Sequence, residues 1–152
     1  MELDATVWPP ATLALLTKLL GTWRYTPIDP SAGPLAEVTY EPAFNGKALR
    51  SRGIVGIGMP QPSETESIVG WDPDTATIYY FEFHGGVQVY QGTMVADDTM
   101  LISEFHTLIG EELRYRAVDE FMGSNMIDTR IFAQQDGKWV EHFAVTMRRV
   151  TE

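Results

Sequence analysis

At 152 residues the chain has the length of one domain, expected to span 1–152. Its 44% hydrophobic and 21% charged residues are a globular composition, which excludes a mainly disordered chain. A formal charge of −10 repels phosphate backbones and anionic lipid, so neither nucleic acid nor a membrane surface is an expected partner, and the absence of cysteine excludes disulfides, thiolate zinc sites and iron–sulfur clusters.

The start, Met1-Glu2-Leu3-Asp4, is acidic, and the first cation is Lys18, so nothing here reads as a secretory signal. The most apolar early run, Ala11 to Leu20, is about half the ~20 residues a membrane span needs. A cytoplasmic protein is expected. Pro9 and Pro10 stand where a helix can begin, because proline fits the first helical turn. Leu13, Leu16 and Leu20 then share a face, with Leu15 and Leu19 beside them, and Gly21 ends the pattern. A helix of about three turns this apolar must cap something.

Everything after Gly21 alternates between strand and turn. Turn signals fall at Pro27 to Pro34, Asn45-Gly46, Pro60-Gln61-Pro62, Asp72-Pro73-Asp74, Gly85-Gly86, Asp97-Asp98, Gly110, Gly123-Ser124 and Asp136-Gly137. They divide the segment into ten strands rich in Val, Ile, Thr, Tyr and Phe. No second helix is long enough for a parallel crossover, so the strands must run antiparallel. Ten such strands in series close most readily, since closure removes the exposed edges. The predicted fold is all-β, a closed antiparallel up-and-down barrel of about ten strands with one N-terminal helix. No repeat of 20–50 residues is present, which disfavours a propeller or solenoid.

Strand alternation assigns side chains to the interior. Val38 and Tyr40 oppose Glu37, Thr39 and Glu41. Leu49, Ser51, Gly53 and Val55 oppose Arg50 and Arg52. Leu101, Ser103 and Phe105 oppose Glu104 and His106, and Leu113, Tyr115 and Ala117 oppose Arg114 and Arg116. In the last strand Trp139, Phe143, Val145 and Met147 are placed inward, with Glu141. Thr77 to His84 is apolar on both faces; Tyr79, Phe81 and Phe83 are placed inward. The predicted ligand-binding lining is Trp23, Tyr40, Ser51, Phe81, Phe83, Ser103, Phe105, Tyr115, Phe143 and Met147. That is the composition of an apolar pocket with sparse polar handles, or equally of a packed core.

The order of motifs carries a resemblance. After the short helix, Leu19-Leu20-Gly21-Thr22-Trp23 opens the first strand, Gly70-Trp71-Asp72-Pro73 makes a turn mid-chain, and Asp136-Gly137-Lys138-Trp139 leads into a last strand with Thr146-Met147-Arg148-Arg149. This ordered set resembles the calycin superfamily, which includes lipocalins and fatty-acid-binding proteins. It is most similar to a bacterial lipocalin-like family of unknown function that opens Leu-x-Gly-Thr-Trp. The resemblance implies a ligand-binding barrel in which Arg149 covers Trp23, a structural contact. A second resemblance, to the haem-binding barrels called nitrobindins, stops at the opening Gly-x-Trp. Arg24-Tyr25-Thr26-Pro27 stands where those show a glycine-rich signature, so no haem or other cofactor is expected.

Chemical motifs are few. There is no Gly-x-Ser-x-Gly. The run Gly53-Ile54-Val55-Gly56-Ile57-Gly58 lacks the lysine and helix of a phosphate loop and reads instead as a barrel bend. His84, His106 and His142 lack metal spacing, so no metal is expected. Glu82 with His84, beside Gly85-Gly86, is the best acid–base candidate; otherwise the pair is a solvated hairpin end. Asp97-Asp98 and Glu111-Glu112 fall at turns, and Asp119, Glu120, Asp128 and Arg130 are expected to form surface cross-strand ion pairs. Three functions are open: binding a small apolar or aromatic molecule, a cyclase- or isomerase-type enzyme using Glu82/His84 or His142 as base, or a filled barrel that pairs with itself as a homodimer. A titratable group pointing into a cavity favours the enzyme.

Overall fold

The structure, a computed structural model, describes residues 2–27 and 35–151. The expected turn from Pro27 to Pro34 lies, apart from Pro27, outside the described residues. Helix α1 covers Pro10–Leu19, and ten strands follow: β1 Gly21–Pro27, β2 Ala36–Ala43, β3 Ala48–Val55, β4 Ser63–Asp72, β5 Thr77–His84, β6 Val87–Asp97, β7 Met100–Thr107, β8 Arg114–Phe121, β9 Met126–Gln135 and β10 Lys138–Arg149. Each strand pairs antiparallel with the next, and β1 closes the barrel against β10. This is the fold that strand count and edge closure require.

Because neighbours in sequence are neighbours in the barrel, turns alternate between its two ends. α1 and the turns after β2, β4, β6 and β8 share one end, which the helix closes. Leu15, Leu16 and Leu19 of α1 are buried there with Trp8, Leu49, Leu101, Ile127 and Met147. Trp8 Nε1 donates to the Gly46 carbonyl at 2.9 Å, tying the segment before the helix to the β2–β3 turn. Trp23 is 1% exposed and donates from Nε1 to the Leu19 carbonyl at 2.7 Å. Arg149 lies over its ring, 4.4 Å from guanidinium carbon to ring centroid. The same guanidinium donates to the carbonyls of Leu20 (2.5 Å) and Lys18 (2.6 Å), which helix geometry leaves without partners. The contact implied by the motif resemblance is therefore present, and it also caps the helix.

Two glycines permit the strands to coil this tightly. A Cβ on Gly53 would lie 2.2 Å from the Glu37 carbonyl oxygen, and one on Gly92 would lie 2.0 Å from that of Glu104. At both places neighbouring backbone occupies the space of a side chain.

Three inward assignments are corrected. In β5, Ile78, Tyr80, Glu82 and His84 face the interior, while Tyr79, Phe81 and Phe83 face out. Pairing with β4 decides this: Val69 stands opposite Tyr80 and Ser67 opposite Glu82, and directly paired residues share a face. Apolar residues on both faces left the alternation without a vote. In β10 the register with β9 shifts between Glu141 and Phe143. That bulge reverses the parity, so Phe143, Val145 and Met147 face in but Trp139 and Glu141 face out. Arg116 then sits 4.6 Å over the Trp139 ring, and Glu141 pairs with Arg130 at 2.7 Å. Leu113 precedes β8 and is exposed. No helix among the described residues is long and apolar enough to cross a membrane.

Candidate functional site

The barrel encloses a cavity of about 550 Å³. It runs from Leu19 of the helix and Met94, Leu101 and Met147 at the closed end to Leu35, Gly56, Met59 and His84 at the other. Seven of the ten predicted lining residues line it: Tyr40, Ser51, Ser103, Phe105, Tyr115, Phe143 and Met147. Phe81 and Phe83 do not, for the register reason above. Trp23 does not either; it is packed beneath Arg149 at the closed end.

The wall is aromatic and the middle is polar. Tyr90 and Phe105 meet edge-to-face with centroids 5.2 Å apart, and Phe105 stacks on Tyr115 at 5.6 Å. Tyr115 in turn lies 6.2 Å from the His142 ring. Tyr40, Ser51, Ser67 and Glu82 stand in one register row across β2, β3, β4 and β5, all on the inner face. The Ser51 and Ser67 hydroxyls bond each other. The Tyr25 and Tyr40 hydroxyls bond at 2.7 Å. Tyr80 donates its hydroxyl to Glu82 Oε1, and His84 Nε2 lies 2.6 Å from Glu82 Oε2. The acid–base pair proposed from sequence thus faces the chamber, partly exposed near its mouth.

A second carboxylate comes from β8. Alternation from Tyr115 through Ala117 carries Asp119 into the interior, where its Oδ1 accepts a 2.5 Å bond from Thr129 Oγ1. The expected surface ion pair for Asp119 is corrected accordingly; Arg130 points out to Glu141. Burial pushes the Asp119 carboxyl up to about 6, against the downward pull of the Thr129 bond. Burial also raises the tyrosine hydroxyls at 25, 40 and 80, and the Asp119 charge raises all three further. These phenols stay protonated at neutral pH. Extending the β8 alternation two residues past Ala117 was the signal that finds Asp119. Tyr25 and Tyr90 needed only the same step in β1 and β6, although the bulge opposite Glu82 and Phe83 obscures the latter.

Among the described residues the arginine ion pairs lie on the outside: Arg24 with Glu37, Arg50 and Arg52 with Glu66, Arg114 with Glu112, Arg116 with Glu104, Arg130 with Glu141. Among the described residues no lysine or arginine lines the cavity. Nor do three or more His, Asp or Glu side chains among them come together as metal ligands. Chemically the chamber offers aromatic contact, hydroxyl donors, two carboxylates and two imidazoles. A scan against models of known protein families finds no match for this sequence, and a search of curated proteins finds none either.

Proposed function

We propose that this is a calycin-like, cytoplasmic binding protein that holds a small, largely apolar or aromatic molecule in the barrel. The observation that carries this reading is the cavity itself. Its volume of about 550 Å³ falls in the range of ligand sites, ~300–1,000 Å³, and it pairs an apolar wall with a few convergent polar groups. The Arg149–Trp23 contact and the Gly-Thr-Trp opening support the calycin-like reading.

The test is titration with Nile red, a neutral dye whose emission reports apolar surroundings. Saturation at one dye per chain with micromolar affinity, roughly 8 kcal/mol, is expected. Phe105→Trp and Tyr115→Trp should narrow the chamber and weaken dye binding while the protein stays folded. Absence of dye binding, together with about 1–3 kcal/mol of lost stability in both variants, is the response of an overpacked solid core and would overturn the reading.

One observation favours a second reading. Glu82 and His84, 2.6 Å apart, open onto the cavity with Tyr80 bonded to the same carboxylate. This is the arrangement of a general base oriented by an acid, and it supports an isomerase-type enzyme that moves a proton on the bound molecule. Loss of turnover in His84→Gln with dye affinity retained would distinguish it from simple binding.

A further inference from the structure

The cavity's charge is one-sided. Of the three acidic residues that border it, Glu82 and Asp119 point inward and Glu66 pairs outward with Arg50 and Arg52; among the described residues no lysine or arginine lines it. The situations of the two inward carboxylates differ. Glu82 already has a phenol donor in Tyr80 and an imidazole in His84. Asp119 has one side-chain hydrogen bond, from the Thr129 hydroxyl, and no cationic partner among the described residues. A buried carboxylate held without a cation opposes folding, so its presence in the wall of a ligand-sized chamber is a mark of use. Tyr25, Tyr40 and Tyr80 line the same chamber, and the Asp119 charge raises each of their hydroxyls. A carboxylate in an aromatic-lined chamber is the chemistry that receives an organic cation. A fatty acid or other anion meets the opposite: two like charges and no countercharge.

We infer that the molecule bound in the barrel is a small aromatic or aliphatic amine, whose ammonium group docks on Asp119 inside the aromatic-lined chamber. This rests on the cavity-binding reading above and names its ligand class. Glu82 serves the other polar end of the chamber, nearer the mouth. The two ends together set orientation, with the apolar body against Phe105, Tyr115 and Phe143.

Asp119 is bonded by Thr129 from β9, and it shares the chamber with the titratable groups Tyr25 from β1, Tyr40 from β2, Tyr80, Glu82 and His84 from β5, Tyr90 from β6, Tyr115 from β8 and His142 from β10. The phenols are neutral throughout the working range. Asp119 must be ionised to hold an ammonium, so amine affinity falls as pH drops through about 6.

The experiment uses the full chain and three probes sharing one ring system: 1-naphthylmethylamine, 1-naphthylmethanol and 1-naphthoic acid. Each competes with Nile red, and binding is confirmed by calorimetry. At pH 7.5 the amine should bind at least tenfold more tightly than the alcohol, and the acid more weakly than both. At pH 5 the amine's advantage should shrink about tenfold, since only about a tenth of Asp119 is then ionised. Asp119→Asn should bring amine and alcohol together at both pH values while the dye still binds. Glu37→Gln, whose carboxylate pairs with Arg24 outside the barrel, should leave the amine's advantage in place. Dye and alcohol binding with no amine preference would overturn the inference and leave the cavity reading intact. Amine preference lost in Glu82→Gln but kept in Asp119→Asn would overturn the assignment to Asp119. Failure of the dye and all three probes would overturn both readings together.

Discussion

Replacing Asp119 by Asn should stabilise the empty protein, and by an amount that depends on pH. In the unfolded chain this carboxyl titrates near 3.8, whereas burial in the barrel lifts it to about 6. Between those values the folded state holds the proton and the unfolded state has released it, so stability falls as pH rises through that window. Above pH 6 the full penalty is present. The gap, at about 1.4 kcal/mol per pH unit, is about 3 kcal/mol. Asn keeps the side chain's size and its oxygen, which still accepts from Thr129 Oγ1, but carries no charge to bury. At pH 8 Asp119→Asn should therefore be more stable by up to about 3 kcal/mol, or roughly 6–12 °C in Tm for a chain of this size. At pH 4 or below the two proteins should be nearly equal. Urea unfolding of both proteins at pH 4, 6 and 8 measures this directly, because the difference between them isolates residue 119 from every other titrating group. An Asn variant that is equal or less stable at pH 8, or a difference that does not change with pH, would refute the reasoning. The result also bears on function, since a site that gives up stability for a buried charge is one where replacement stabilises and binding is lost.

Trp23→Ala should cost about 3–5 kcal/mol, the range for a fully buried large aromatic, because it also leaves Arg149 and the end of α1 without their packing surface; an unchanged urea midpoint would remove Trp23 from the core. Gly92→Ala should destabilise by about 3 kcal/mol or more, since its Cβ would meet the Glu104 carbonyl at 2.0 Å and the Phe105 Cα at 2.6 Å, both backbone-fixed. Gly70→Ala, where nothing lies within 4 Å, should stay within about 0.5 kcal/mol of wild type. Equal stability of the two glycine variants, read by thermal unfolding, would show that the β6–β7 approach is not as close as the structure has it.

The barrel was legible because its signals are local. Pro10 and Gly21 bracket the helix as their backbone preferences dictate, and glycine, proline and asparagine mark the strand ends. Strands with one charged face, such as β3 with Arg50 and Arg52, could be oriented from alternation alone, and Ser51, Ser103, Phe105 and Tyr115 accordingly line the cavity. Where a strand was apolar on both faces, or carried a bulge, alternation had nothing to say. So Phe81 and Phe83 were assigned to the wrong side, and Trp139 and Glu141 with them.

By itself the sequence determined the strand number, their antiparallel order, closure by a helix, and an interior too aromatic to be polar throughout. These follow from turn chemistry, period-two patterning and the cost of an open edge, all of which are written residue by residue. Only the tertiary structure decided what kind of chamber results. It set the β4–β5 register that turns Tyr80, Glu82 and His84 inward. It placed Asp119 of β8 against Thr129 of β9 and within electrostatic reach of tyrosines from β1, β2 and β5. Among the described residues it turned the paired arginines outward. Charge balance inside a barrel is a sum over strands distant in sequence, and no local pattern contains it.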